Sequence, residues 1–144
     1  MTTARRGSFD VDVHFMGVAS LASKQSRDPV TQVGACIVKN NVILGIGYNR
    51  MPRNCSHFPW GKNEKDPLKN KHSYVCHAEM IAICNKNSAD VKDSTMYVTL
   101  FPCNECAKLI VENGIKEVVY QSYKDKPSTD ASKLIFDAAG VKYR

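Results

Sequence analysis

One histidine and two cysteines restrict the architecture of this chain more than any other residues do. His77-Ala78-Glu79 and Pro102-Cys103-Asn104-Glu105-Cys106 each stand where a helical apolar pattern begins. Together they offer one imidazole and two thiols, a donor set that suits zinc. Structural zinc sites close with four protein ligands, whereas three leave a position open for water and for chemistry. Residues i and i+2 diverge in mid-helix, so His77 and Glu79 can face one metal only from a helix's first turn. The same placement lets orphan N–H groups favour thiolates at Cys103 and Cys106. A chain that uses these residues must fold with two helix starts side by side.

Two other readings of the cysteines compete. A Cys-x-x-Cys redox pair belongs near the first strand–helix unit and needs no distant His-x-Glu. A closed structural site needs a fourth ligand, for which Cys55, Cys76, His57 and His72 are candidates. The other two cysteines, Cys36 and Cys84, sit in the apolar stretches VGACIV and AEMIAIC and read as packed thiols.

The rest of the pattern supplies an α/β frame for this pair. Phe15, Val18, Ala19 and Ala22 recur at helical spacing over 12–24, with Asp10 or Asp12 as the cap and Pro29 beyond the end. Apolar runs at 33–38 and 42–48, separated by Lys39-Asn40-Asn41, read as a hairpin. A polar, basic stretch follows at 49–73, too long for an ordinary connection and therefore a functional or disordered loop. Helix 76–86, strand 95–100, helix 104–113 stopped by Gly114, strand 117–120, helix 129–139 stopped by Gly140 and strand 141–143 complete the order. Such alternation predicts parallel strands in the second half. No boundary divides residues 1–144, so one domain is expected.

Composition narrows the setting. Six cysteines without the apolar h-region of a secretory signal point to a reducing, cytoplasmic compartment. No apolar run reaches the ~18–20 residues of a membrane span. The net charge of +6 suits an anionic partner, but the basic residues are scattered. Aromatic residues make up only 8% of the chain, too few for a stacking track along a nucleic acid.

H-x-E…P-C-x-x-C is the signature of zinc deaminases, in which an activated water attacks C4 of cytosine or C6 of adenine while the glutamate moves protons. Across residues 13–143 the sequence resembles the deoxycytidylate deaminase branch of the cytidine/deoxycytidylate deaminase superfamily, through SRDPVTQVGACIV, GIGYN, CHAEMIAI, MYVTLFPCNECAKLI and GIKEVV. This resemblance implies a three-layer cytidine-deaminase-like fold, a five-stranded mixed sheet with helices on both faces. It implies zinc on His77, Cys103 and Cys106, with Glu79 as proton shuttle. Asn49 would contact the sugar in a pocket walled by Val33, Gly34, Ala35 and Pro102. Ser26, Arg27 and Tyr123 would meet the 5′-phosphate.

The implied reaction is dCMP plus water to dUMP plus ammonia, feeding thymidylate synthesis, with dCTP as a second substrate. Members are commonly homohexamers, activated by dCTP and inhibited by dTTP, and a triphosphate would bring Mg2+. Here Asn49, Arg50 and Arg53 would form the effector site. Arg50 and Asn54 stand where the family tends to have glycine, so effector control is altered or the added cation recruits a polyphosphate. Some members hold a second zinc in this loop, for which Cys55, His57 and His72 would serve. Two alternatives are a tRNA or single-stranded DNA deaminase and a silent zinc-binding oligomerisation domain. Glu79 speaks against the silent domain.

Overall fold

The computed structural model describes residues 2–4, 10–87 and 90–144. Helix α1, Val11–Ser23, is capped by the Asp10 carboxylate, which accepts from the Asp12 and Val13 N–H groups. Strands β1 (Gly34–Lys39) and β2 (Val42–Tyr48) form the expected hairpin, turned by Asn40 and Asn41 at φ 51° and 62°. Helix α2 (Ala78–Cys84), strand β3 (Thr95–Leu100) and helix α3 (Asn104–Glu112) come next. Strand β4 (Glu117–Ser122), helix α4 (Pro127–Ala139) and strand β5 (Lys142–Tyr143) close the order. Helix α2 is shorter than the spacing suggests, β4 runs two residues further and α4 starts at Pro127, whose fixed φ suits a first helical position.

The sheet runs β2-β1-β3-β4-β5. Its first two pairings are antiparallel and the β3–β4 and β4–β5 pairings parallel, a mixed sheet as expected. Successive side chains of the central strands serve opposite faces. Ala35, Ile37, Met96 and Val98 join the core beneath α2, α3 and α4, where Ala82, Ile110 and Phe136 meet them. Cys36, Val38 and Tyr97 pack against Phe15 and Ala19 of α1. Helices thus cover both faces. Cys36 is buried, which pushes its thiol up to about 12, but Cys84 is exposed and is not a packed thiol. It ends α2 on the turn facing away from the sheet, where Met80 is exposed as well.

Close approach fixes the helices on this sheet. A Cβ at Gly47 would overlap the Ala82 nitrogen and the Ala78 carbonyl, and one at Gly34 would overlap the Ala19 carbonyl. Gly47 therefore sets how near α2 lies to β2. The stretch between β2 and α2 is not free loop. Arg50 and Cys76 exchange backbone hydrogen bonds at 3.0 and 2.8 Å, and short 3-10 turns at Pro67–Lys69 and Lys71–Ser73 order its middle.

The Gly47→Ala variant is expected to lose about 1–3 kcal/mol of stability through overpacking. Urea unfolding reads the loss. Zinc content should fall with it, because the displaced helix carries His77 and Glu79.

Candidate active site

Two helix starts meet as the ligand spacing requires. His77 precedes α2 with φ −72° and ψ 156°, and Cys103 precedes α3 with φ −72° and ψ 171°. Each occupies the N-cap position in extended backbone, and neither side chain caps its own helix. Both side chains are thereby released towards the gap between the helices. The His77 Nδ1 lies 3.4 Å from the sulfurs of both Cys103 and Cys106. All three ligand atoms fall within 4.8 Å of one another, the one such convergence among the described residues. An imidazole nitrogen and two thiols at this spacing fit a tetrahedral zinc with a fourth position open. Cys55, His57 and His72 form no such cluster.

Electrostatics around the cluster are strongly polarised. Hydrogen bonding from the Cys106 thiol and from His77 holds Cys103 down to about 3 despite burial. Cys106 moves up, through its bond to Cys103 and through burial. The bond to Cys103 raises His77 above the usual imidazole range. Glu79 sits in the first turn of α2, 4% exposed. Burial raises its pKa, and the charge on His77 only partly offsets this.

Glu79, His77 and Cys103 line a cavity of about 520 Å³ that also takes in Val33 and Asn49. The Asn49 amide is almost fully committed. Its Oδ1 accepts from the Val33 N–H at 2.9 Å, and its Nδ2 donates to the Thr31 carbonyl at 2.9 Å and to Asp28 at 3.4 Å. One Oδ1 lone pair remains for a ligand. Asp28 and Lys71 form a buried ion pair of 2.5 Å beside it, with side chains 2% and 7% exposed. Burial alone would raise Asp28, but Lys71 and the N–H groups of Val30 and Thr31 outweigh it and hold the carboxyl below its ordinary value.

Asp28 and Lys71 both line the catalytic cavity, and the sequence reading did not single out either. Asp28 had a signal, an Asx-type turn in which its carboxylate accepts from the second and third following N–H groups. Lys71 had none.

Other expected residues lie elsewhere. Ser26 donates to the Asn49 carbonyl at 2.8 Å and accepts from the Asp28 N–H, which makes it a brace for the loop. Arg27, Arg50 and Arg53 line a separate cavity of about 320 Å³ that shares no residue with the catalytic one. Asp28 is buried against Lys71, whereas its neighbour Arg27 is exposed. Gly34 donates its N–H to Thr99 Oγ1 at 3.1 Å and, like Ala35, is buried in β1. Pro102 is fully buried, its carbonyl accepting from Ser132 at 2.8 Å. Tyr123 packs on Phe101 with Lys133 over its ring and does not line the cavity.

Residues 10–122 match the family model described as the cytidine and deoxycytidylate deaminase zinc-binding region. Over 136 residues the chain is 56% identical to the deoxycytidylate deaminase of Pongo abelii and 54% identical to that of Homo sapiens. Each alignment covers 91% of this chain and 76% of the relative. A crystal structure of dCMP deaminase from the cyanophage S-TIM5, in complex with dCMP and dUMP, superposes with a TM-score of 0.78 at 26% identity. That match covers 96% of this chain and 98% of the other. The layered sheet and helices are therefore the cytidine-deaminase-like fold.

Elemental analysis of the purified chain should find zinc, and Cys103→Ser or His77→Ala should abolish it. Lys71→Met strands a buried carboxylate and should cost about 3–5 kcal/mol near neutral pH. Because the folded Asp28 pKa lies below its unfolded value, the pair stabilises above roughly pH 4 and that stabilisation is lost as pH falls through the folded pKa. The penalty of Lys71→Met should accordingly shrink in acid-side unfolding measurements.

Proposed function

The chain belongs to the cytidine and deoxycytidylate deaminase family, and on that premise we propose that it hydrolyses dCMP to dUMP and ammonia. The observation that carries this reading is the buried carboxylate of Glu79 beside the converging His77, Cys103 and Cys106, with Glu79, His77 and Cys103 lining one cavity. Zinc, when bound, supplies Lewis acidity that makes water a nucleophile near neutral pH. The protein's part is proton movement and alignment. Glu79 takes a proton from the attacking water and delivers it to ring N3 as the new C4–O bond forms. It then passes the second proton to the amino group as the C4–N4 bond breaks, leaving the C4 carbonyl of dUMP and free ammonia. Burial raises the proton affinity of this carboxylate, which suits a group that must hold and release protons within one turnover.

Alignment falls to Asn49 and its neighbours. The free Oδ1 lone pair of Asn49 accepts from a sugar hydroxyl, and Val33 forms the wall behind it. Fixed by three protein contacts, the amide needs no reorganisation to receive the sugar.

The finer assignments rest on the same premise. The chain acts as one catalytic domain within a cytoplasmic homohexamer, and its product dUMP feeds thymidylate synthesis. It also accepts dCTP. The Arg27–Arg50–Arg53 cavity takes dCTP or dTTP as effectors with Mg2+, since guanidinium forks match phosphate and Tyr48 and Trp60 offer rings to a base. Tyr48 and Arg50 line this cavity while Asn49 between them lines the catalytic one. One three-residue segment thus joins effector to substrate, which is how Asn49 takes part in control.

Turnover assays on dCMP, dCTP and deoxycytidine, each with and without dTTP, test the reading. Preference for dCMP supports it, and failure to deaminate any of the three sinks it. Glu79→Gln should retain zinc and fold while kcat falls about 10²–10⁴-fold. Near-normal kcat in that variant would remove Glu79 from the mechanism.

A further inference from the structure

We propose that the phosphate end of the nucleotide is held at the mouth of the catalytic cavity by Lys62, Lys124 and Lys126 together with His72, and not by Arg27. The inference deepens the dCMP reading above and rests on it. All four residues line the cavity that contains His77, Glu79 and Cys103. They come from two sides, Lys62 and His72 from the segment between β2 and α2, Lys124 and Lys126 from the turn between β4 and α4. With C4 at Glu79 and the sugar at Asn49, the 5′-phosphate is the part of the nucleotide left for this rim.

Charge accounting favours an anion here. The three lysines are exposed and make no ion pair among the described residues. The carboxylates that line the same cavity are otherwise engaged. Asp28 is paired with Lys71, Glu105 lies 2.9 Å from Lys108, and Glu79 is buried at the reacting end. Burial lowers the pKa of His72, and the nearby charges of Lys62 and Lys126 act in the same direction. Lys126 also stands at the N-cap of α4, a 13-residue helix whose positive end adds to the field. A phosphate monoester carries about −1.5 to −2 charges at neutral pH, fewer than three ammonium groups supply. The surplus suits a longer phosphate chain on the same rim.

Two rival places are poorer fits. The cavity of Arg27 shares no lining residue with the catalytic one. A second neighbouring cavity, which shares Thr31, Leu100 and Lys124, is rich in hydroxyls. Its Ser23, Ser26 and Ser122 hydroxyls already donate to the carbonyls of Ser20, Asn49 and Thr99, so their protons are not available to an anion.

The test is the ratio of kcat/KM for dCMP to kcat/KM for deoxycytidine, measured on the zinc-loaded full chain. Only the phosphate distinguishes these substrates. Lys62→Ala, Lys124→Ala and Lys126→Ala should each lower the ratio about tenfold, mainly through KM for dCMP. Lys124→Arg should retain much of it. Exposed Lys116, on the loop leading into β4, provides the control as Lys116→Ala, with an unchanged ratio. A ratio that survives all three lysine substitutions, or falls as far in Arg27→Ala as in any of them, overturns the assignment. Because the rim lysines are exposed, folding is not at stake, and the unfolding midpoint of each variant checks this. An unmodified enzyme silent on dCMP would overturn the parent reading as well, and is told apart by appearing before any residue is changed.

Discussion

Everything functional in this chain depends on how closely α2 lies against β2. A helix of seven residues has little stability of its own, since nucleation is costly and few hydrogen bonds repay it. Its position comes from packing, through Ala78 and Ala82, both fully buried, set against the bare backbone of Gly47 and Gly45. That seat presents His77 to Cys103 and Cys106 at 3.4 Å and drops Glu79 into the same interior. Helix α3 brings two ligands from one turn, so α2 needs to supply only one. The division explains why α2 can be short: it has only to place His77 at its N-cap and Glu79 in its first turn.

A second constraint holds the substrate side. Asp28, Lys71 and Asn49 join three segments that are distant in sequence, the loop before β1, the 3-10 turn at Lys71–Ser73 and the end of β2. Buried ion pairs are seldom net stabilisers compared with apolar packing. Here the pair orders polar chain where an apolar core is not available, because the adjoining cavity must stay open to a nucleotide. Asp28 also satisfies two loop N–H groups, and Asn49 ties the loop to Val33, so the walls of the cavity are fixed before a ligand arrives.

The central features were legible because they have a period or a spacing. Phe15, Ala19 and Ala22 mark α1, apolar runs broken by Asn40 and Asn41 mark the β1–β2 hairpin, and His-x-Glu with Cys-x-x-Cys marks the metal cluster. Helix lengths were less so, since the Cys76–Lys86 pattern runs past the point where Cys84 and Asn85 turn to solvent. Arg27 was legible as a cation, but the residue beside it that lines the catalytic cavity, Asp28, is held there by Lys71, more than forty residues away. No local pattern reports such a partner. Lys62, Lys124 and Lys126 were equally opaque, and His72 was read only as a candidate metal ligand: each joins this rim only because the fold sets two loops on either side of one cavity mouth.

The two cation-rich cavities are built from different residues for a physical reason. Arginine offers a rigid planar fork that selects geometry, whereas lysine is a mobile point charge on a flexible stem. The cavity that must bind and release a nucleotide in every turnover is rimmed by lysines, which can follow a phosphate as substrate becomes product. Its neighbour, lined by three arginines with Tyr48 and Trp60, suits a ligand held in one pose. Tyr48, Asn49 and Arg50 run between them, with Asn49 facing the substrate and its neighbours facing the arginine cavity. That segment is tied by the Arg50–Cys76 bridge, which ends one residue before the metal ligand His77. The arginine cavity thus borders both the segment that carries Asn49 and the backbone bridge that ends one residue before His77.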